Sequence, residues 1–223
     1  MGDTSPFDPS FEHLPPVLAI FPLPGALLLP RGRLPLRIFE PRYLNMVDDA
    51  MGSERMIGMV QTMPGGDAER PRLARVGCLG RITSFAETSD DCYLITLTGM
   101  CRFIVGEELP ARLPYRQVQA RYTPFETDLR PLADDDGFDR IRFLRALRPY
   151  LERRSLEVDW EAAKTAAGEA LVNSLSMLLP FEPAEKQALL EAATLADRRE
   201  ALIALMEIDS IGRSGEDEPT TLQ

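Results

Sequence analysis

The sharpest change of pattern in the chain lies in Leu34-Pro-Leu-Arg-Ile-Phe-Glu-Pro-Arg-Tyr43. Leu34, Leu36 and Ile38 alternate with other residue types, which is the period-two pattern of a half-buried strand. Pro41 ends such a strand because it has no N–H to donate, and its fixed φ suits the first turn of a helix. The stretch therefore predicts a corner at which a strand turns directly into a helix.

The helix that this corner predicts has an apolar stripe and a defined end. Tyr43, Met46, Val47 and Ala50 recur at the spacing that places side chains on one helix face. Gly52 follows the last of them and is a typical C-terminal stop. We therefore expect one short helix here, with its stripe turned towards the core.

Glu40 is the one charged residue at the turn of this corner. A buried carboxylate would need a partner, and Arg37 or Arg42 is the nearest cation. Nothing in the sequence supplies a histidine or a second positioned acid beside it, so we interpret Glu40 as a structural carboxylate. It would be paired with an arginine or would cap backbone N–H groups.

Composition and charge bound the class of protein. The chain has 223 residues, of which 44% are hydrophobic, so it can bury a substantial core. No apolar run reaches the roughly 18 residues needed to cross a bilayer, and the N-terminus lacks the pattern of a secretory signal. We therefore expect a cytoplasmic protein with no membrane partner. The net charge of −10, with no Lys/Arg cluster, disfavours nucleic acid as a partner.

The sequence gives no indication of a metal site, a cofactor site or a disulfide. Cys78, Cys92 and Cys101 are odd in number and form no Cys-x-x-Cys pair. His13 is the only histidine, so a structural zinc site is not expected either. The sequence predicts three buried, reduced cysteines and no cofactor.

Catalytic motifs are also missing from the sequence. Lys164 and Lys186 are the only lysines, and neither lies in a phosphate-binding Gly-x-x-x-x-Gly-Lys-Ser/Thr loop. Ser174 is ten residues from Lys164, too far for the two to pair on one helix face. His13 lies in a proline-rich arm, where a solvated residue is the simpler interpretation. We therefore expect a protein that is not an enzyme.

The order of patterns predicts an α+β chain. Residues 1–16 are proline-rich and polar and are expected to form a flexible arm. Strands with hairpin turns and a single helix fill residues 17–122, which favours a largely antiparallel barrel or sandwich. Residues 123–136 would be a linker, residues 137–209 a helical bundle, and residues 210–223 a disordered acidic tail.

Three finer predictions concern glycines and one helix. Gly77 and Gly80 lie inside a long strand and indicate bulges or bends there. Gly99 is expected to break the next strand. Residues 160–179 are expected to form one continuous helix, capped by Asp159.

Several of these motifs together resemble one family. They are Pro24-Gly-Ala26, the corner Leu34–Tyr43, Gly77-Cys-Leu-Gly-Arg-Ile82 and Leu97-Thr-Gly-Met-Cys-Arg-Phe-Ile104. In this order they resemble the N-terminal domain of Lon proteases. The helical half continues the likeness at Leu175–Pro180, Glu185–Glu191 and Asp197–Leu202, so that the resemblance covers about residues 17–209.

The resemblance implies a fold and a class of function. The fold would be a mostly antiparallel β pseudo-barrel of the PUA-like kind with one short helix, followed by a C-terminal helical bundle. The function would be polypeptide binding without catalysis, because the ATPase and Ser–Lys protease modules of full Lon proteases have no counterpart here. Within the matched motifs, structural roles would fall to Glu40, Gly80, Gly99, Arg102 and Phe103.

Our leading hypothesis is a protein-binding module in quality control that captures apolar segments between sheet and helices or along a strand edge. The candidate contact residues are Phe39, Arg42, Tyr43, Met59 and Met63. For Phe39 and Tyr43 the competing interpretation is that they simply fill the core.

Two other hypotheses stay open at this point. PUA-like folds elsewhere contact RNA, so an RNA-binding or small-molecule-binding protein is the alternative. A continuous arginine face of Arg75, Arg81, Arg102 and Arg121 would favour it. The third hypothesis is a regulator that delivers clients to an ATP-dependent protease or competes with it. A homodimer is compatible with each of these.

Overall fold

Six strands form one mixed sheet in the computed structural model, which describes residues 11–67, 70–130 and 137–212. The strands are β1 (Val17–Pro22), β2 (Arg33–Ile38), β3 (Met56–Gly66), β4 (Pro71–Glu87), β5 (Tyr93–Glu108) and β6 (Arg116–Arg121). Their order in the sheet is β2-β5-β4-β3-β1-β6. Only the pairing of β1 with β3 is parallel, so the sheet is largely antiparallel as expected.

The last strand pairs on both of its sides. β6 runs antiparallel to β1 and also pairs with β5, where Ile104 lies opposite Arg121. The pairings of β5, β4, β3, β1 and β6 therefore form a closed circuit, and β2 is attached to its outside through β5.

The predicted corner is confirmed. β2 ends at Ile38, and helix α1 (Pro41–Met51) begins three residues later with proline in its first turn. The four stripe residues Tyr43, Met46, Val47 and Ala50 are all buried, and Gly52 is the C-cap. The local sequence pattern was sufficient to predict this corner, because the strand, the proline that ends it and the apolar stripe of the helix all lie within 20 residues.

Gly99 does not break its strand, so that prediction is wrong. β5 continues through it, because Gly99 exchanges backbone hydrogen bonds with Arg31 and Gly32. A Cβ at Gly99 would lie 2.0 Å from the carbonyl oxygen of Leu29. The glycine thus lets the chain that precedes β2 cross the sheet at close range.

Phe103 occupies space that neighbouring glycines leave open. It is fully buried, and Cβ atoms added at Gly58 or Gly77 would lie within 3.0 Å of its ring. Gly80 similarly admits Leu28, whose Cδ2 would be 2.8 Å from an added Cβ. The pairing of β4 with β5 shifts register between Leu79 and Gly80.

In the described part of the chain, five further α-helices follow the sheet. They are α2 (Arg140–Arg154), α3 (Trp160–Thr165), α4 (Gly168–Leu178), α5 (Pro183–Glu191) and α6 (Leu195–Gly212). α2, α4 and α5 all pack against α6, and α5 also contacts β4 and β3. The helices are therefore packed on one another and on the sheet.

The single helix predicted over residues 160–179 is two helices. Ala166 and Ala167 have ψ values of 147° and 143°, which are not helical. The guanidinium of Arg140 donates hydrogen bonds to the carbonyls of Ala163 and Ala166, which satisfies acceptors that a continuous helix would have used itself. A tertiary contact therefore stabilises the break.

The described part of the N-terminal arm is packed against the sheet. Leu14 is buried, and the carbonyl of Pro15 accepts a hydrogen bond from the hydroxyl of Tyr122. The first ten residues lie outside the described ranges, as does the tail beyond residue 212.

The segment that the sequence assigns to a linker, 123–136, is described as far as residue 130. Thr123–Leu129 forms a 3-10 helix, and Asp128 within it is buried. This part contacts β5 and is more than a loose connection. Residues 131–136 lie outside the described ranges.

Candidate binding cleft

A cleft of about 500 Å³ lies beside the corner. Its walls come from the end of β1, the start of α1 and residues 109–115, which join β5 to β6. The apolar lining is Phe21, Leu23, Tyr43, Leu109, Leu113, Tyr115 and the prolines at 22, 24, 71, 110 and 114. The charged lining is Glu40, Arg42, Arg70, Glu108 and Arg116.

Aromatic side chains form the fixed part of the cleft. The rings of Phe21 and Tyr43 lie 4.4 Å apart between centroids, and both residues are buried. Tyr115 is also buried and donates a hydrogen bond of 2.6 Å to Asp49 on α1. Burial raises the pKa of both tyrosines, so each is neutral at physiological pH.

One charged pair lies at the start of α1. Arg42 donates from Nε to Oε2 of Glu40 at 2.9 Å, and its guanidinium carbon lies 4.6 Å from the centre of the Tyr43 ring. Glu40 therefore has the arginine partner that the sequence predicts, whereas Arg37 pairs with Asp90. The Glu40 side chain is 43% exposed and does not cap α1, so it is not a buried charge.

The second charged group joins three strands. Glu108 accepts hydrogen bonds from Nε and Nη2 of Arg116 at 2.9 and 2.7 Å, and from Arg70 at 2.6 Å. The Arg116 hydrogen bond is the main reason that the pKa of Glu108 is lowered, with Arg70 contributing. Arg116 also donates to the carbonyl of Pro71, so it is anchored on two sides.

The structure brings only two of the five candidate contact residues into this cleft. Arg42 and Tyr43 line it. Phe39 is 62% exposed, which excludes the core-filling interpretation for it, but it is not part of the lining. Met63 is 42% exposed and lies outside the lining, next to Thr62, which does line the cleft.

Met59 is placed differently from what the sequence led us to expect of a contact residue. It is 3% exposed and belongs to the main hydrophobic core. Its strand is central in the sheet, between β4 and β1, so both of its edges are paired. Met59 is therefore too deeply buried to contact a partner directly.

Sequence reasoning missed the wall opposite α1. The candidate contact residues include none of Glu108, Tyr115 and Arg116, which form that wall. The available signal was Leu109-Pro-Ala-Arg-Leu-Pro114, an apolar segment bounded by prolines between two strands. Such a segment on the surface indicates a packed loop, but it does not say what the loop faces.

Arg102 has the structural position that the resemblance implies. It is 3% exposed and forms two-pronged hydrogen bonds to Asp128, both of 2.8 Å. Arg75 and Arg121 are exposed. Because Arg102 faces inwards, these arginines do not form the continuous face that an RNA-binding interpretation required.

Neither a metal site nor a reactive thiol is found in the ranges that the structure describes. Nowhere in residues 11–67, 70–130 and 137–212 do three or more His, Cys, Asp or Glu side chains converge as metal ligands. All three cysteines are buried and unpaired. Burial raises the pKa of Cys78, and raises that of Cys101 to about 12, so neither thiol ionises at neutral pH. None of the helices described there has the length and apolar character for a bilayer crossing.

Comparison with known proteins agrees with the resemblance. The model of the ATP-dependent protease La (LON) substrate-binding domain matches residues 17–207. The chain belongs to this family. The Lon protease of Anaeromyxobacter dehalogenans is 28% identical over 208 residues, which cover 87% of this chain and 23% of that protein. Lon protease 2 of Myxococcus xanthus is 28% identical over 211 residues, or 87% of this chain and 24% of that protein.

Solved structures give the same result. The crystal structure of a Lon N-terminal domain protein from Xanthomonas campestris has a TM-score of 0.60 and 26% identity, covering 84% of this chain and 97% of that one. The N-terminal domain of a Mycobacterium avium complex Lon protease shares the fold, with a TM-score of 0.59 at 16% identity. The chain thus has the Lon N-terminal domain fold, and it spans about a quarter of the length of the curated relatives it matches.

Proposed function

We propose that the cleft beside the corner binds short segments of client polypeptides, and that the chain contributes recognition and no catalysis. The observation that carries this proposal is an aromatic- and proline-lined cleft beside the Phe39-Glu-Pro-Arg-Tyr43 motif, in a chain of the substrate-binding family. Rigid aromatic residues bind apolar side chains at little cost in conformational entropy.

The architecture fits this role. We propose that the closed circuit of five strands is the PUA-like pseudo-barrel and that α2–α6 form the helical bundle, with subdomains at residues 17–122 and 137–209. The cleft then lies within the strand subdomain, which includes α1. The bundle supports that subdomain from outside, through contacts such as those of α5 with β4.

We further propose an adaptor or regulator role in protein quality control, with unfolded clients or an ATP-dependent protease as partners. The family assignment supports substrate recognition. The sequence has no phosphate-binding loop around either of its lysines, which supports a role without ATP hydrolysis in this chain.

A pair of matched substitutions tests the cleft. Leu113 lines it and is 39% exposed, so Leu113→Ser should remove an apolar contact without disturbing the core. We expect affinity for dye-labelled, reduced and carboxymethylated α-lactalbumin to fall about fivefold to tenfold, measured by fluorescence anisotropy. The control is Leu94→Ser, at a residue that is 45% exposed and outside the cleft. Equal binding by both variants and the parent chain would contradict the proposal.

Small-molecule binding is the second candidate, because a volume of about 500 Å³ lies in the range of ligand pockets. The two proposed functions predict different outcomes in a competition experiment between a small molecule and an unfolded protein. If a small aromatic acid such as phenylacetate bound in the cleft by NMR, and the unfolded protein neither bound nor displaced it, this second function would replace the first.

A further inference from the structure

We infer that the polypeptide segment bound in the cleft carries an acidic side chain next to an aromatic or aliphatic one. This inference rests on the proposed function and adds the chemical class of the client segment.

The cleft is locally positive although the chain is negative. Its lining contains Arg42, Arg70 and Arg116 but only Glu40 and Glu108, whereas the whole chain has a net charge of −10. Salt screens charges beyond about 8–10 Å, so a bound ligand responds mainly to these local arginines. The excess of one positive charge therefore complements one carboxylate.

Two of the three arginines can bind that carboxylate. Arg116 is only 18% exposed and is held by both Glu108 and Pro71. The Arg42 and Arg70 side chains are 43% and 58% exposed, and each forms its ion pair from one edge of the guanidinium. A guanidinium has five N–H donors in a rigid fork, so both retain donors directed to solvent.

Arg42 also couples the charge to the apolar lining. Its guanidinium lies over the Tyr43 ring at 4.6 Å, which restricts its position. Tyr43 packs in turn on Phe21 at the bottom of the cleft. A carboxylate bound at Arg42 would therefore be next to an aromatic surface, and adjacent residues of one peptide would reach both.

We assign the carboxylate to an aspartate or glutamate side chain and not to a chain terminus. A client polypeptide has one terminal carboxylate but many acidic side chains. Unfolded segments presented from the middle of a chain can supply only the latter. The experiment contains a separate arm for the terminal group.

The test uses end-blocked peptides and the full chain. The probe is the dye-labelled, C-terminally amidated peptide Gly-Ser-Pro-Leu-Phe-Asp-Pro-Ser-Gly, and its partner has Asn in place of Asp. We expect the Asp peptide to bind about fivefold to tenfold more tightly in 20 mM salt, with the ratio falling towards one in 1 M salt. Arg42→Gln and Arg70→Gln should each reduce the ratio. Arg37→Gln, at an exposed arginine outside the cleft, should leave it unchanged.

The possible results distinguish the acidic-segment inference from the proposed function and from the side-chain assignment. Equal affinity for the two peptides, unchanged by Arg42→Gln, would overturn this inference and leave the proposed function intact. No binding of either peptide, together with no binding of unfolded α-lactalbumin, would overturn both. Tighter binding of the Asn peptide with a free C-terminus than of the amidated Asp peptide would overturn the assignment to a side chain. Circular dichroism of each variant establishes that the fold is retained.

Discussion

The Arg102–Asp128 pair and the Arg42–Glu40 pair have the same chemistry in opposite surroundings. In the first, the side chains are 4% and 8% exposed; in the second, both are 43% exposed. Arg102 also donates to the carbonyls of Leu190 and Ala192, so all three of its guanidinium nitrogens have partners within the fold. The Arg42 guanidinium is partly exposed, and in our proposal its remaining N–H groups bind the client.

This difference separates a structural region from the proposed binding region. Arg102 lies on β5, Asp128 in the 3-10 helix after β6, and the two carbonyls at the end of α5, so one guanidinium joins three parts of the chain. Removing one partner of a buried pair leaves an unpaired charge in the interior, which is costly. An exposed pair can exchange its partner for water or for a ligand at little cost.

Arg198 is a second buried cation, and its hydrogen bonds go to neutral acceptors. It donates to the carbonyl of Leu189 and to Oδ1 of Asn173 and is 4% exposed. Burial, and then the charge of Arg102, lower its pKa to about 10. It stays charged at neutral pH because neutral acceptors replace its hydration. Groups of the fold therefore accept hydrogen bonds from both buried guanidiniums, whereas the Arg42 side chain is 43% exposed.

The largest expected effect is at the buried pair. Asp128→Ala leaves Arg102 charged and unpaired, and we expect a loss of about 3–5 kcal/mol in the free energy of unfolding. The control is Glu200→Ala, which breaks the exposed pair with Arg142 and should cost at most about 1 kcal/mol. Urea unfolding measures both. Similar losses in the two variants would remove the contrast between buried and exposed pairs.

The next largest effect is expected at Gly99, where the segment before β2 crosses β5 at close range. Gly99→Ala would place Cβ 2.0 Å from the Leu29 carbonyl oxygen, so the backbone must move. We expect a loss of about 2–3 kcal/mol. Gly52→Ala is the control, because its Cβ would be 3.6 Å from the nearest atom and its φ is −76°. Thermal unfolding that gave the same midpoint for both would contradict this packing argument.

A smaller and pH-dependent effect is expected at the wall of the cleft. The folded pKa of Glu108 lies below its unfolded value, chiefly because Arg116 donates to it. A lowered carboxyl pKa contributes stability that is present above the unfolded value of about 4.3 and is lost as the pH falls through the folded value. Glu108→Gln should therefore cost about 1 kcal/mol at pH 7, and the cost should shrink below about pH 4. A cost that stayed constant between pH 7 and pH 3 would show that the charge is not the cause.

The smallest effect on stability is expected at Glu40. Its role as a structural carboxylate predicts a loss on substitution, but at 43% exposure we expect Glu40→Gln to change the free energy of unfolding by less than about 1 kcal/mol. Because the substitution frees Arg42, affinity for the acidic peptide should rise about twofold to threefold. A fall in affinity with stability unchanged would mean that Glu40 itself contacts the client.

The corner and the family could be predicted because their signals are local. Pro41, the stripe from Tyr43 to Ala50 and Gly52 each act on the next few residues, and the structure confirms all of them. The Gly-Met-Cys-Arg-Phe103 motif is equally local, and it marked Arg102 and Phe103, both of which are buried. What these side chains contact was not predictable, since Asp128 is 26 residues away from Arg102.

The wrong predictions have the same origin. A glycine in a strand weakens it locally, yet Gly99 stays in β5 because a distant segment hydrogen-bonds to it. The apolar pattern of residues 160–179 is helical throughout, yet Arg140 stabilises a break at Ala166. Each outcome depends on a partner whose position is set by the sheet or by helix packing and not by neighbouring residues.

The strand-to-helix corner, the buried stripe of α1, the cysteine state and the family follow from local patterns, because short-range periodicity and motif spacing specify them. The proposed binding cleft, in contrast, depends on long-range packing. The cleft combines Tyr43, Arg70, Glu108 and Tyr115, which strand pairing and the β5–β6 connection bring together across 72 positions of the chain. Burial decided the rest: it made the Arg102 ion pair structural and left the Arg42 pair at the corner open to a partner.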